Sequence, residues 1–242
     1  MESLSNEQLQ ERFQRVEENL RLIKQNIADA ACASGRKPED ITLLAATKTV
    51  PVPVINHAIE MGINCIGENR VQELMDKYDQ LALSNCSCHF IGGLQTNKVK
   101  YLVGKVDMIE SVDSLKLANE ISRLSVNRGV NTQILIEVNI GREENKSGVY
   151  PENLFELIDA IELLPAIEVR GLMAIPPADA SAEETRKYFL EMHEYFVDTR
   201  RKKSDNINIL SMGMSGDYCE AIRCGANLVR VGSALFGNRV YK

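Results

Sequence analysis

The sequence predicts an α/β fold: a single (β/α)8 TIM barrel with an extra helix at its N-terminus. Three observations carry this expectation. From residue 41 onward, short apolar runs alternate with stretches of helical periodicity. The apolar runs number eight and are evenly spaced. No Pro-, Gly- and Ser-rich linker, low-complexity tract or short-period repeat divides residues 1–242, so they read as one domain. Strands that alternate with helices pair in parallel and are covered on both faces. An open doubly wound sheet is the alternative, but eight such units in this length fit a closed barrel better.

The extra helix comes first. Leu9, Phe13, Val16, Leu20, Ile23, Ile27 and Ala31 recur at three- and four-residue spacing and make one apolar face over residues 7–33. Ser5 is placed to cap its start, and Gly35 followed by Pro38 ends it. The eight strands are expected at 41–47, 64–67, 88–92, 108–111, 133–139, 169–174, 207–212 and 228–231. The first is apolar on both faces, as a strand between a barrel interior and a helix layer must be. Pro51 stops it, because proline has no N–H to extend a ladder. Helices are expected at 52–61, 69–81, 95–104, 114–128, 151–163, 181–203 and 217–224, with a last short one from residue 234 past 236.

Composition narrows the function classes. Hydrophobic residues make up 44% and charged residues 26%, an ordinary globular balance. The net charge of −6 argues against a general nucleic-acid surface. No apolar run is long enough to span a bilayer, and residues 1–6 lack the basic start and apolar core of a signal peptide, so a cytoplasmic location is expected. The six cysteines, Cys32, Cys65, Cys86, Cys88, Cys219 and Cys224, are scattered, mostly beside apolar residues. They read as small buried hydrophobes in a reducing compartment. Cys86-Ser87-Cys88-His89 has the residue types of a metal cluster, but one-residue spacing and no second ligand pair, so no metal is expected.

In a barrel the chemistry sits where the strands end. Lys48 falls at the C-terminal tip of the first strand. Partial desolvation there disfavours its ammonium, and the neutral amine that results can form a Schiff base with an aldehyde; a lysine snorkelling to water is the plainer alternative. The turns after strands seven and eight, Ser211 to Asp217 and Gly232-Ser233-Ala234, run straight into helices. Glycines that allow close backbone approach, the hydroxyls of Ser215 and Ser233 and unpaired helix-start amides suit an anion, and barrels bind phosphate at this corner; simple helix capping is the alternative. In Leu228-Val229-Arg230-Val231-Gly232 alternation points Arg230 away from both valines, and into the barrel if the valines face the helix ring. A buried guanidinium needs an acceptor, which could be a structural carboxylate, a ligand ring nitrogen or a phosphate. A lysine for an aldehyde, a corner for a phosphate and an arginine for a ring nitrogen match pyridoxal 5′-phosphate feature by feature. An arginine facing the ring nitrogen keeps that nitrogen unprotonated and the ring a weak electron sink.

Six segments carry a family resemblance. They are Ala46-Thr47-Lys48, Gly67 to Glu73, His89-Phe90-Ile91-Gly92 with Leu94 to Lys98, Gly171-Leu172-Met173, Ser211 to Asp217, and Arg230 to Gly237. In this order the chain resembles the YggS/PROSC family of pyridoxal-phosphate homeostasis proteins, itself similar to the N-terminal barrel of alanine racemase, fold type III among proteins that use this cofactor. The resemblance implies a monomer with Lys48 holding the cofactor as a Schiff base. It also implies Ser215, Gly232 and Ser233 on the phosphate, Arg230 at the ring nitrogen and Asn69 near the ring oxygen. The chain departs from the family at Cys88, where a Trp often stands, and at Gly93, where a larger residue is common. Both departures are expected near the mouth after the third strand.

Two functions follow. One is a carrier that binds the cofactor, limits free aldehyde and hands it transiently to apo-enzymes, with no membrane or nucleic-acid partner. The other is a small racemase-type enzyme. Racemisation needs a proton-transfer group on each face of the substrate. Lys48 could serve one face, but the sequence ends at Lys242 just after the last barrel helix, so no second domain is expected to deliver a tyrosine to the other. The carrier is therefore the expectation, without a catalytic residue. Lys146, in the polar loop after the fifth strand, could face the site or simply be solvated. Arg200-Arg201-Lys202-Lys203 reads as a basic helix end, and His57 and His193 as helix packing or surface residues.

Overall fold

Eight parallel strands close on themselves in sequence order in the computed structural model, which describes residues 5–237. They are β1 (Thr42–Ala46), β2 (Cys65–Glu68), β3 (Ser87–Phe90), β4 (Met108–Val112), β5 (Thr132–Val138), β6 (Ile167–Ala174), β7 (Ile209–Ser211) and β8 (Leu228–Val231). β1 pairs with both β2 and β8, with Leu44 level with Arg230, and this closes the barrel. All eight expected strands are present within a few residues of their expected bounds. The helices are α1 (Asn6–Ala33), α2 (Val52–Glu60), α3 (Val71–Lys77), α4 (Leu115–Arg128), α5 (Leu154–Glu162), α6 (Ala182–Lys202), α7 (Tyr218–Arg223) and α8 (Ser233–Phe236).

One element differs in kind. The helix expected over 95–104 is a single 3-10 stretch, Thr96–Tyr101. Its first residues, Thr96 and Asn97, are weak helix formers, and Gly104 at φ 75° ends the segment. The helix expected over 69–81 is likewise shorter: Asn69 and Arg70 lie outside it, and it closes as 3-10 from Tyr78 to Gln80. The continuation past Phe236, and residues 1–4 of the segment read for a targeting signal, lie outside the described residues. Among the described residues no helix is long and apolar enough to cross a membrane.

Period-two alternation sorts each strand. Leu43, Ala45, Ile66, Phe90, Ile109, Ile134, Val229 and Val231 face outward into the main core beneath the helices. Leu44, Cys65 and Leu228 form one cluster inside the barrel, and Met108, Leu135 and Met173 another. Thus the valines flanking Arg230 point out and Arg230 points in, as alternation requires.

α1 lies against α7, α8 and α2 through the expected apolar face, with Val16, Leu20, Ile23, Ile27, Ala30 and Ala31 buried. Ser5 caps it in a reciprocal box with Gln8. Polar ties fix it further: Asn19 donates to the carbonyl of Leu235 (3.0 Å), Asn26 to the hydroxyl of Tyr218 (2.9 Å), and Arg36, just beyond the helix, to the carbonyls of Ile222 and Ala226.

Candidate functional site

β1 ends at Ala46, and the chain turns at the C-terminal rim through Thr47, Lys48 and Thr49. The amide of Val50 donates to the Thr47 carbonyl at 2.9 Å and closes the turn. Thr49 sits at φ 65°, a left-handed conformation that a β-branched residue adopts only when held there. What holds it is Glu73, on α3, whose Oε1 accepts from the Thr49 amide at 2.6 Å. The same oxygen accepts from Lys77 Nζ at 2.6 Å. Lys77 is buried and also donates to Glu68 Oε2 (3.2 Å) and to the carbonyl of Thr47 (3.2 Å). Glu68 is buried, and burial pushes its carboxyl up, with Lys77 pulling the other way. Its Oε1 accepts the amide of Asn69 at 2.9 Å. The Asn69 carboxamide is satisfied on both sides when its nitrogen donates to Glu68 Oε1 (3.2 Å) and its oxygen accepts from Lys48 Nζ (3.3 Å). Lys48 itself is half-buried. A compact frame of Glu68, Glu73 and Lys77 therefore fixes the turn that carries Lys48.

The second part of the rim is the corner after β7 and β8. Ser215 Oγ accepts from the amides of Gly232 (3.2 Å) and Ala234 (3.1 Å), so two backbone donors converge on one oxygen, as they do on an anion. Ser233 stands between them as the first residue of α8. Gly213, at φ 90°, turns the chain out of β7 toward Ser215. A side chain at Gly232 would come within 3.3 Å of the carbonyl oxygen of Ala46. That close approach sets the corner directly against the end of β1, two residues before Lys48.

Arg230 occupies the third position. It is 4% exposed, and its amide donates to Gly213 O at 3.0 Å, tying it to the turn that leads to Ser215. Nη2 donates to the carbonyl of Ala174 at the top of β6 (3.0 Å), and Nη1 to Ser211 Oγ (2.6 Å). Burial pushes the guanidinium down while Glu110, Glu137 and Asp217 pull it back up. Glu137, inside β5, is pushed up to about 7 by burial and by Asp113, against the pull of Arg230. The six expected positions thus fall into three neighbouring groups on one end of the barrel: Lys48 with Asn69, Ser215 with Gly232 and Ser233, and Arg230. An amine, convergent amides and a fixed cation suit an aldehyde, an anion and an unprotonated ring nitrogen respectively, so the donor set fits pyridoxal phosphate.

One of the two expectations for this mouth is corrected. Cys88 is not at the mouth: it is the second residue of β3 and packs outward in the main core, where burial pushes its thiol up to about 12. Cys88 lies near the N-terminal end of the barrel because it comes early in β3, and alternation turns it outward under the helices. Gly93 does lie beyond β3, where a side chain would meet Ser147 Oγ at 3.8 Å, so the loop after β5 reaches this edge. In that loop Lys146 is exposed. Cys86 and Cys88 share one strand face and His89 takes the opposite one, where Nδ1 meets Glu110 Oε1 at 2.7 Å. Among the described residues no group of three His, Cys, Asp or Glu is placed to hold a metal. The other histidines are packed: His57 stacks on Phe13 and meets Glu17 at 2.9 Å, and His193 abuts Gly225. The basic end of α6 is dressed in ion pairs, Arg201 with Asp198, Arg200 with Asp205 and Lys203 with Asp159 and Glu162.

Fold and rim together define a class: a barrel of the alanine racemase N-terminal type with a lysine after its first strand and an anion corner after its last two. The chain matches the family described as "Alanine racemase, N-terminal domain" over residues 12–240. It is 45% identical to the pyridoxal phosphate homeostasis protein of Aquifex aeolicus, over 93% of this chain and 98% of that one. PipY of Synechococcus elongatus, solved with pyridoxal phosphate bound, superposes with a TM-score of 0.76 at 32% identity, covering 87% of this chain and all of that one. An alanine racemase of Clostridium difficile shares the fold alone, with a TM-score of 0.74 at 18% identity, covering 93% of this chain and 61% of that one. This chain belongs to the pyridoxal phosphate homeostasis protein family, a branch of the alanine racemase N-terminal barrels.

Proposed function

We propose that this protein binds pyridoxal 5′-phosphate and works in its homeostasis in the cytoplasm, as a monomeric carrier that limits free aldehyde and passes the cofactor transiently to apo-enzymes. When bound, the cofactor supplies an aldehyde that condenses with amines and a ring that withdraws electrons. Lys48 holds the aldehyde carbon as a Schiff base, and Asn69 steadies the lysine nitrogen and lies near the ring oxygen. Ser215, Gly232 and Ser233 hold the phosphate through hydroxyls and amides. Arg230 faces the ring nitrogen and, being a fixed cation, disfavours a proton there. That weakens the electron withdrawal that amino-acid catalysis needs, and so the reading is storage and transfer without robust catalysis.

One observation carries this reading: Gly232 presses against Ala46, so the convergent amides lie beside the strand end that leads to Lys48. A corner remote from the lysine could not share one small ligand with it. The relatives named for this role, and the neighbour solved with the cofactor, support the ligand.

The test is exchange at the α-carbon. The loaded protein is incubated in heavy water with a panel of amino acids, and loss of the Cα proton is followed by NMR beside Lys48→Ala and the cofactor alone. Exchange no faster than with the cofactor alone is expected. Exchange well above it, abolished in Lys48→Ala, makes Lys48 a base and overturns the carrier reading in favour of a racemase-type enzyme.

A further inference from the structure

Among the described residues Arg230 does not meet a carboxylate directly. Its Nη1 donates to Ser211 Oγ at 2.6 Å, and Ser211 lies 2.6 Å from Glu110 Oε2. Glu110 is sealed from solvent, and its other oxygen lies 2.7 Å from His89 Nδ1. With Glu110 ionised, the donors and acceptors set the direction of every proton in this chain. A guanidinium only donates, so Ser211 accepts from it and gives its one proton to Glu110. Glu110 is then an acceptor, and His89 carries its hydrogen on Nδ1. Burial alone would push the Glu110 carboxyl up, but the His89 and Ser211 hydrogen bonds and the charge of Arg230 hold it below the ordinary carboxylate range.

The four side chains thread the barrel from end to end. Arg230 reaches the carbonyl of Ala174 on the rim side. His89 lines a bowl of about 440 Å³ at the opposite end, walled by Asp40, Asn64, Ser87 and Asn227, residues at or just before the starts of strands. The serine between the charges matters. A direct, two-pronged Arg–Glu pair would largely cancel the guanidinium charge. A hydroxyl polarised by the carboxylate grips Nη1 just as firmly, yet keeps Glu110 one hydrogen bond farther away.

We propose that Glu110 and Ser211 are positioning residues for Arg230, and that His89 anchors them from the N-terminal end of the barrel. The proposal rests on the reading of Arg230 as the partner of the ring nitrogen. The other charged groups facing Arg230 are Glu137 and Asp217; Asp113 faces Glu137, and Cys65 faces Glu110. Any pH response has to be assigned against these groups.

Two arms test it. In the cofactor-free protein, the His89 ring nitrogens are followed by NMR through a pH titration. Wild type is expected to carry its hydrogen on Nδ1, facing Glu110. Ser211→Ala removes a donor from Glu110 and is expected to move the His89 midpoint upward, and Ser211→Thr, which keeps the hydroxyl, to restore it. In the loaded protein, Ser211→Ala is expected to weaken pyridoxal phosphate binding about tenfold, the size of one lost charge-assisted hydrogen bond. It is also expected to make the visible absorbance of the bound cofactor pH-dependent where wild type is flat, again with rescue by Ser211→Thr. An unchanged pH profile in Ser211→Ala overturns the proposal even if affinity falls, because lost packing alone lowers affinity. If that variant does not fold, Glu110→Gln is measured in its place: the absorbance outcome is the same, and the His89 midpoint is expected to move downward, because the carboxylate beside it is gone. If wild type fails to load, the reading of the site is struck instead, and the His89 titration in the cofactor-free protein decides the positioning alone: no shift in Ser211→Ala overturns it.

Discussion

Two lysines flank one turn and live in opposite surroundings. Lys77 is 2% exposed and uses all three of its donors, on Glu68, Glu73 and the carbonyl of Thr47. Lys48 is half-buried at the rim, where the oxygen of the Asn69 side chain can accept from it. An ammonium wedged between two carboxylates is kept charged and walled in, so it serves the fold. A half-buried lysine on the rim can be reached by a small molecule. Surroundings, not residue type, separate the two, and the buried lysine holds the turn that carries the other.

The comparison breaks most readily at Lys48. Lys48→Ala is expected to abolish covalent attachment entirely, so that borohydride reduction of the loaded protein leaves no cofactor mass on the chain, whereas Lys77→Met keeps the attachment. Retained mass in Lys48→Ala would mean the two lysines have been assigned the wrong way round. Lys77→Met is expected instead to lose about 3 kcal/mol of stability in urea unfolding, because it strands two carboxylates in one pocket. The deficit shrinks as pH falls: burial already raises the Glu68 carboxyl, losing Lys77 raises it further, and a group raised by folding favours the folded state at low pH. A deficit that grew on acidification would contradict the frame described for the turn.

Glu137 sharpens the contrast from across the barrel, as a buried carboxyl without a direct ion pair among the described residues. Its folded value of about 7 lies above the ordinary 4.5, so the folded state binds the extra proton between those values and stability falls as pH rises through that window. Glu137→Gln is expected to exceed wild type by about 2 kcal/mol at pH 8, with the difference gone near pH 5, in paired urea melts. Equal curves at both values would refute it. The smallest effect belongs to Thr49. Asparagine tolerates the left-handed conformation better, so Thr49→Asn is expected to stabilise by about 0.5 kcal/mol without loss of cofactor binding. A loss of stability would show that Glu73 holds the turn without strain.

Much of this was legible in the chain. Apolar runs and their spacing placed all eight strands, and alternation alone turned Arg230 inward. The turns after β7 and β8 were readable because they are made of glycine and serine just before helices. What could not be read was the frame behind Lys48 and the thread beneath Arg230. Glu73 and Lys77 stand four apart and look like an ordinary exposed helix pair. Only closure of β1 on β2 brings Glu68 and Thr47 to them. Glu110 and Ser211 are 101 residues apart and carry no local signal of partnership. The failure at 95–104 had a local cause, since a short run with Thr and Asn at its start lacks the propensity to complete an α-helix.

The ties of α1 have a consequence in time. The first helix to be synthesised is fastened to the last ones: Asn19 holds Leu235 and Asn26 holds Tyr218 across sequence separations of 216 and 192 residues. α7 and α8 are also the helices entered from the Ser215 and Gly232 turns. Contacts so distant in sequence close late, after the intervening chain has already condensed. A chain still emerging from the ribosome therefore has its Lys48 long before the turns of Ser215 and Gly232 are set beside it.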